Sequence, residues 1–145
     1  MYKTLMVLLM PAMICAAQAD ELISEAEARL PGGQQKVLVT RSITRGPGIQ
    51  LVAPGADHTA VRSPFDLRVE FVARGSAKID PDSVKIVYDR TPPVNLIERV
   101  RAGVSATGIV LPGAQAPPGK HTIVVSVGDN EGRSTTRVFE LTVAK

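Results

Sequence analysis

From residue 49 to the C-terminus, hydrophobic and polar side chains alternate with a period of two. Phe65, Leu67, Val69 and Phe71 are separated by Asp66, Arg68 and Glu70. Val84, Ile86 and Tyr88 are separated by Lys85 and Val87. Ile123, Val125 and Val127 alternate with Thr122, Val124 and Ser126, and Phe139, Leu141 and Val143 with Val138, Glu140 and Thr142. Such rows predict strands with one face in a core and the other towards water. Weaker strand candidates are residues 49–52, 96–100 and 108–111. Pro54-Gly55, Asp80-Pro81-Asp82, Pro112-Gly113 and Pro118-Gly119 read as turns, and Gly75 and Gly132 fall where connections are expected. No segment of helical period interrupts residues 49–145, so crossover helices for a parallel sheet are missing. The fold class predicted is all-β, an antiparallel sandwich of about seven strands. Phe65, Leu67, Phe71, Phe139 and Leu141 form its inward set.

Upstream the pattern changes twice. Residues 1–19 carry Lys3, then an apolar stretch over residues 5–17 broken by Pro11, then Ala17-Gln18-Ala19. A positive start, a short apolar run and a small-x-small site describe a secretory signal peptide. The run is shorter than the ~20 apolar residues needed to span a bilayer. Acylation at Cys15 is disfavoured, because bulky Ile14 precedes it. In residues 20–30, Leu22, Ile23, Ala26 and Leu30 make one helical stripe, with Glu21, Glu25 and Glu27 near its N-terminal end. Pro31-Gly32-Gly33 stops this short helix, which must dock or fray. Residues 36–40, with Val37 and Val39, are a further strand candidate. Gly46-Pro47-Gly48 marks the boundary of the main domain. The organisation expected is therefore a signal peptide over residues 1–19, a helical and linker extension over 20–48, and the sandwich over 49–145.

Composition narrows the chemistry. The chain has 145 residues, a formal net charge of +3, one Cys, two His, no Trp and 3% aromatic residues. One Cys cannot make an internal disulfide or a thiolate zinc site. Cleavage after Ala19 also removes it, which suits an oxidising compartment. The cations form no tract, and few aromatics are available to stack on bases, so a nucleic-acid partner is not expected.

The C-terminal two-thirds resembles the bacterial immunoglobulin-like (Ig-like) domains. Ile79-Asp80-Pro81-Asp82-Ser83-Val84 is similar to their entry to a middle strand. Pro118-Gly119-Lys120-His121 resembles the start of their penultimate strand, and Asp129-Asn130-Glu131-Gly132-Arg133 the turn before the last strand. The resemblance implies an Ig-like sandwich over residues 49–143, without the cysteine pair and core tryptophan of antibody domains. His121 stands where many relatives carry Tyr. The resemblance implies a structural role for it, with the ring's polar end tying down a neighbouring loop. Such domains serve adhesion, enzyme accessories and assembly factors alike, so the fold names no activity.

No residue pattern supplies a catalytic constellation. The acidic residues are scattered over turns and outer strand faces, and no serine sits in a nucleophile elbow. His58 and His121 with Asp57 or Asp129 would be the only components of a metal site. All four Met fall within residues 1–13, which removes soft ligands. Asp129-Asn130-Glu131 fits a hairpin turn better than a calcium loop. Arg90, Arg99 and Arg101 are the candidate partner surface, suited to an acidic protein face or an anionic polymer. The alternative for them is a solvated edge that discourages aggregation. The expectation is a non-enzymatic, periplasmic or secreted interaction module. It needs no cofactor, binds an envelope protein or anionic polymer, and has no stable membrane insertion after signal cleavage. A copper-type metal or small-ligand carrier on the same sandwich is the alternative.

Overall fold

The computed structural model describes residues 21–33, 45–55 and 60–145. The signal segment, the strand candidate at residues 36–40 and His58 lie outside them. Among the described residues the chain forms eight strands in two antiparallel four-stranded sheets, packed as a sandwich. In chain order these are β1 (Gly48–Ala53), β2 (Phe65–Val72), β3 (Ile79–Tyr88), β4 (Val94–Asn95), β5 (Val104–Ser105), β6 (Gly108–Ala114), β7 (Gly119–Asp129) and β8 (Ser134–Val143). One sheet has the order β1-β2-β6-β5 and the other β4-β3-β7-β8. In β2 the alternation is complete, with Phe65, Leu67, Val69 and Phe71 buried and their neighbours exposed. They face Ile86, Ile123, Val125, Val127 and Leu141 across one continuous core. Phe139 packs at the margin of that core and is only partly buried.

Three local expectations change. Residues 96–100 form a turn of helix, α2 (Ile97–Val100), and not a strand. Leu96 and Val100 are both fully buried. Residues four apart share a face in a helix as they do in a strand, so this pair fits either element. The Asn95 side-chain oxygen also accepts the Ile97 N–H at 3.0 Å, which starts the turn. Asp80-Pro81-Asp82 does not separate strands but interrupts β3 from within, where its register against β7 shifts between Asp80 and Lys85. Pro81 has no N–H to give the ladder. The Ser83 hydroxyl spans the gap, donating to the Asp80 carbonyl at 2.6 Å and accepting the Gly128 N–H at 2.8 Å. Pro112-Gly113 likewise lies inside β6, as a bulge opposite β2.

The N-terminal arm is docked, and its helix is shorter than the pattern predicts. Only α1 (Glu25–Ala28) is helical, opened by a capping box between Ser24 and Glu27. No residue of α1 is buried. The apolar anchors are Leu22 and Ile23, just upstream, both at most 1% exposed and part of the sandwich core. Their N–H groups donate to the Gln115 carbonyl at 2.9 and 3.2 Å. Beyond α1, the Pro31 carbonyl accepts the Thr91 N–H at 3.0 Å and Gly33 donates to Asp89 at 3.3 Å.

Phe71→Ala should lower stability by ~3–5 kcal/mol, the cost of emptying a filled aromatic site. Phe139→Ala should cost clearly less, because that ring already meets solvent. Urea unfolding of the two variants beside the parent checks the order.

Candidate functional site

Two regions hold the residues to which chemistry could be assigned. The first is the end of the sandwich where β3 stops and β7 begins. His121 lies in the inward row of β7 and is 2% exposed. Its Nε2 lies 2.6 Å from the Pro117 carbonyl, and its Nδ1 lies 2.9 Å from the Tyr88 hydroxyl. Arg90 Nη2 donates to that hydroxyl at 2.6 Å, and its guanidinium carbon lies 4.8 Å from the Tyr88 ring centroid. One proton assignment satisfies the Tyr88 hydroxyl and both ring nitrogens of His121, while Arg90 Nε stays buried without a partner among the described residues. Arg90 donates to the Tyr88 oxygen, the Tyr88 O–H donates to Nδ1, and Nε2–H donates to the carbonyl. The imidazole is then neutral and both nitrogens are used. Burial pushes its pKa below the ordinary 6.5; the Pro117 hydrogen bond opposes this and the Arg90 charge adds to it.

Next to this chain is the clasp of the arm. Arg99 pairs with Glu27 at 2.5 Å and donates to the Leu22 carbonyl at 2.7 Å. The hydrogen bond from Arg99 holds the Glu27 carboxyl down at about 2; burial opposes it, while the Ser24 N–H and the Arg99 charge assist. Of the three candidate surface arginines, Arg90 thus serves the buried chain and Arg99 the arm. Arg101 pairs with Glu98 in solvent. The structure does not gather them into one free cationic face.

The opposite end is closed by Asp129, also buried and inward-facing. One carboxylate oxygen accepts the Glu131 and Arg133 N–H groups at 3.0 Å each, and the other accepts Arg133 Nε at 2.9 Å. Burial raises its pKa, but these donors outweigh it and the net shift is downward. Gly132, at φ +77°, lets the hairpin turn. Asn130 exchanges hydrogen bonds with Lys78, using its own N–H and its side-chain oxygen, both at 2.9 Å. The oxygens that suggested a cation loop are therefore spent on the hairpin. Among the described residues no three His, Cys, Asp or Glu side chains cluster.

The second region is an open groove of about 880 Å³ between β1 of one sheet and β8 of the other. Leu51, Phe139 and Leu141 make its apolar part, and Lys120, Arg137 and Glu140 its charges. Neither Lys120 nor Arg137 has an ion-pair partner among the described residues. Beneath it, a gap between the sheets lined by Leu67, Val69, Ile86 and Val125 measures about 10 Å³, room for about one water. A ligand would therefore lie in the groove and not between the sheets. Sequence reasoning missed this groove because it arises from two edges distant in the chain. The only signal was Arg137, a cation in a row that continues as Phe139 and Leu141.

Two outcomes follow for the structured end. The folded state holds the His121 proton less tightly than the unfolded chain does. Stability should thus be intact above pH 6.5 and fall as pH drops below it, until the folded-state pKa is passed. His121→Phe should remove that dependence between pH 8 and 5; it should cost ~1–3 kcal/mol at pH 8, from the orphaned carbonyl, and less as pH falls and the parent weakens; urea midpoints against pH test both. Glu27→Gln keeps the capping box but removes the charge. It should speed hydrogen exchange at Leu22 and Ile23 while β7 amides stay protected.

No family model, no curated protein and no solved structure matches the chain in comparison with known proteins. The architecture that stands is a β-sandwich of two antiparallel four-stranded sheets.

Proposed function

We propose that this chain is an exported Ig-like interaction module that works by binding and without catalysis, engaging an envelope protein or polymer from the periplasm. Lettered in chain order A, B, C, C′, D, E, F and G, its sheets are ABED and C′CFG, which supports the Ig-like reading. His121 supports it too. At the start of strand F, it bonds to a carbonyl four residues upstream, the role a tyrosine corner performs. The observation that carries the functional reading is the β1–β8 groove, where apolar surface lies beside Lys120 and Arg137, neither in an ion pair among the described residues. The other distinctive ionisable groups (His121, Asp129, Glu27 and Arg99) hold the fold together.

The chain recovered from periplasm should begin at Asp20 by N-terminal sequencing. That mature protein should bind isolated envelope saturably. Protease treatment of the envelope abolishes binding if the partner is protein; raised salt weakens it if the partner is an anionic polymer. Absence of saturable binding would overturn the reading.

A further inference from the structure

The groove floor is a strand edge with a defined opening. β8 pairs with β7 along its length. On its other side, Val61 donates to the Thr142 carbonyl at 2.9 Å, and Ala144 donates to the Val61 carbonyl at 2.7 Å. Residues 142 and 144 therefore direct their backbone groups away from β7. With a period of two, so do Thr136, Val138 and Glu140. At the far end Gly46 packs against Ser134 and Thr135, where a Cβ would come within 2.8 Å of the Ser134 carbonyl oxygen. Among the described residues the edge is thus covered at both ends and open over residues 136–140. Among the described residues, none of the backbone bonds outside the ladders reaches Thr136, Val138 or Glu140.

Side chains around the opening specify what would fit. Phe139 and Arg137 lie two apart on the inward side of β8, and both line the groove. Val138 lies on the outward side, in register with Val124 of β7, which is itself in register with Val87 of β3. A strand laid against this edge would place one side chain beside Phe139 and another, two residues away, beside Arg137. A third would continue the valine row. Arg137 is exposed and in no ion pair among the described residues, so a carboxylate from outside can reach it. Phe139 and Val138 need apolar neighbours.

We propose that residues 136–140 of β8 accept an extended peptide segment of a partner protein by strand addition, the segment carrying a carboxylate two residues from an apolar side chain. This rests on the interaction-module reading and names the partner's chemistry at the same groove. Backbone hydrogen bonds to Thr136, Val138 and Glu140 would supply affinity, and the Arg137 and Phe139 positions selectivity.

The test uses mature protein and a displayed library of random linear peptides. Selected peptides should share an acidic residue two positions from an apolar one. Val138→Pro removes the outward N–H without touching the β7 ladder, and proline is tolerated at such an edge. Binding should fall roughly tenfold or more on Val138→Pro, stay near parent on Val138→Thr, and fall similarly when the peptide backbone is N-methylated. The methylated peptide gives an answer even if Val138→Pro fails to fold. Arg137→Gln should weaken acidic peptides while sparing their amide counterparts. Equal binding to Val138→Pro and parent, or to methylated and plain peptide, would overturn strand addition and leave the module reading standing. So would envelope binding with no peptide selected. Self-association abolished by Val138→Pro, with no peptide bound, would assign the edge to a second copy and overturn the proposal. Failure of both peptide and envelope binding would remove the module reading as well.

Discussion

The inward row of β7 sets the terms for the rest of the molecule. It reads His121, Ile123, Val125, Val127 and Asp129, an apolar centre with a polar residue at each end, every member buried. β7 is paired on both its sides, by β3 and by β8, so it cannot shift to expose either end. A buried polar group is tolerated only when its hydrogen bonds are made. Each end of the sandwich is organised to make them. At one, Pro117, Tyr88 and Arg90 converge on the imidazole. At the other, the hairpin folds back so that its own amides and Arg133 reach the carboxylate. The loops are consequences of satisfying two side chains on one strand.

The arm extends this logic. The segment joining β6 to β7 carries both the Pro117 carbonyl that His121 holds and the Gln115 carbonyl that receives Leu22 and Ile23. Whatever loosens the imidazole therefore loosens the arm's seat. Burying one large aliphatic side chain contributes ~1.5–3 kcal/mol. The arm, too short to be a stable helix by itself, thus gains its order from two anchors and the Arg99 clasp.

Legibility in the sequence followed the physics of each signal. β2 was plain because every second side chain is apolar and every other one charged. β7 and β8 were plain in outline for the same reason. The helix at Ile97–Val100 was not, since Leu96, Ile97 and Val100 make too short a run for period to separate helix from strand. The apolar stripe over residues 20–30 predicts a longer helix than forms, because Leu22 and Ile23 are buried in a bend ahead of α1, where helical spacing is coincidental. Pro81 and Pro112 read as turns in sequence, whereas irregularities within β3 and β6 absorb them. His121 was legible as a loop tie through the Ig-like resemblance. Its Tyr88–Arg90 partners were not, because their meeting depends on the pairing of β3 with β7. The three arginines looked alike in sequence and separated only by their neighbours.

Edges explain why the groove stands apart from the remaining surface. A sandwich has four sheet edges, and each exposes backbone groups that invite pairing. Here β4 and β5 are two residues each, too short to offer a ladder. β1 is bulged between Leu51 and Ala53, which breaks its register. β8 is ten residues long and regular, the one edge of the described sheets with the length to template another strand. Its ends are occupied by Gly46 and Val61, and among the described residues the middle is left open. An inward-directed charge is a usual guard against edge pairing, and Arg137 fits that role against apolar strands. The same guanidinium would attract a strand that brings a carboxylate. Protection and selectivity are then one property of one residue, exercised on different partners.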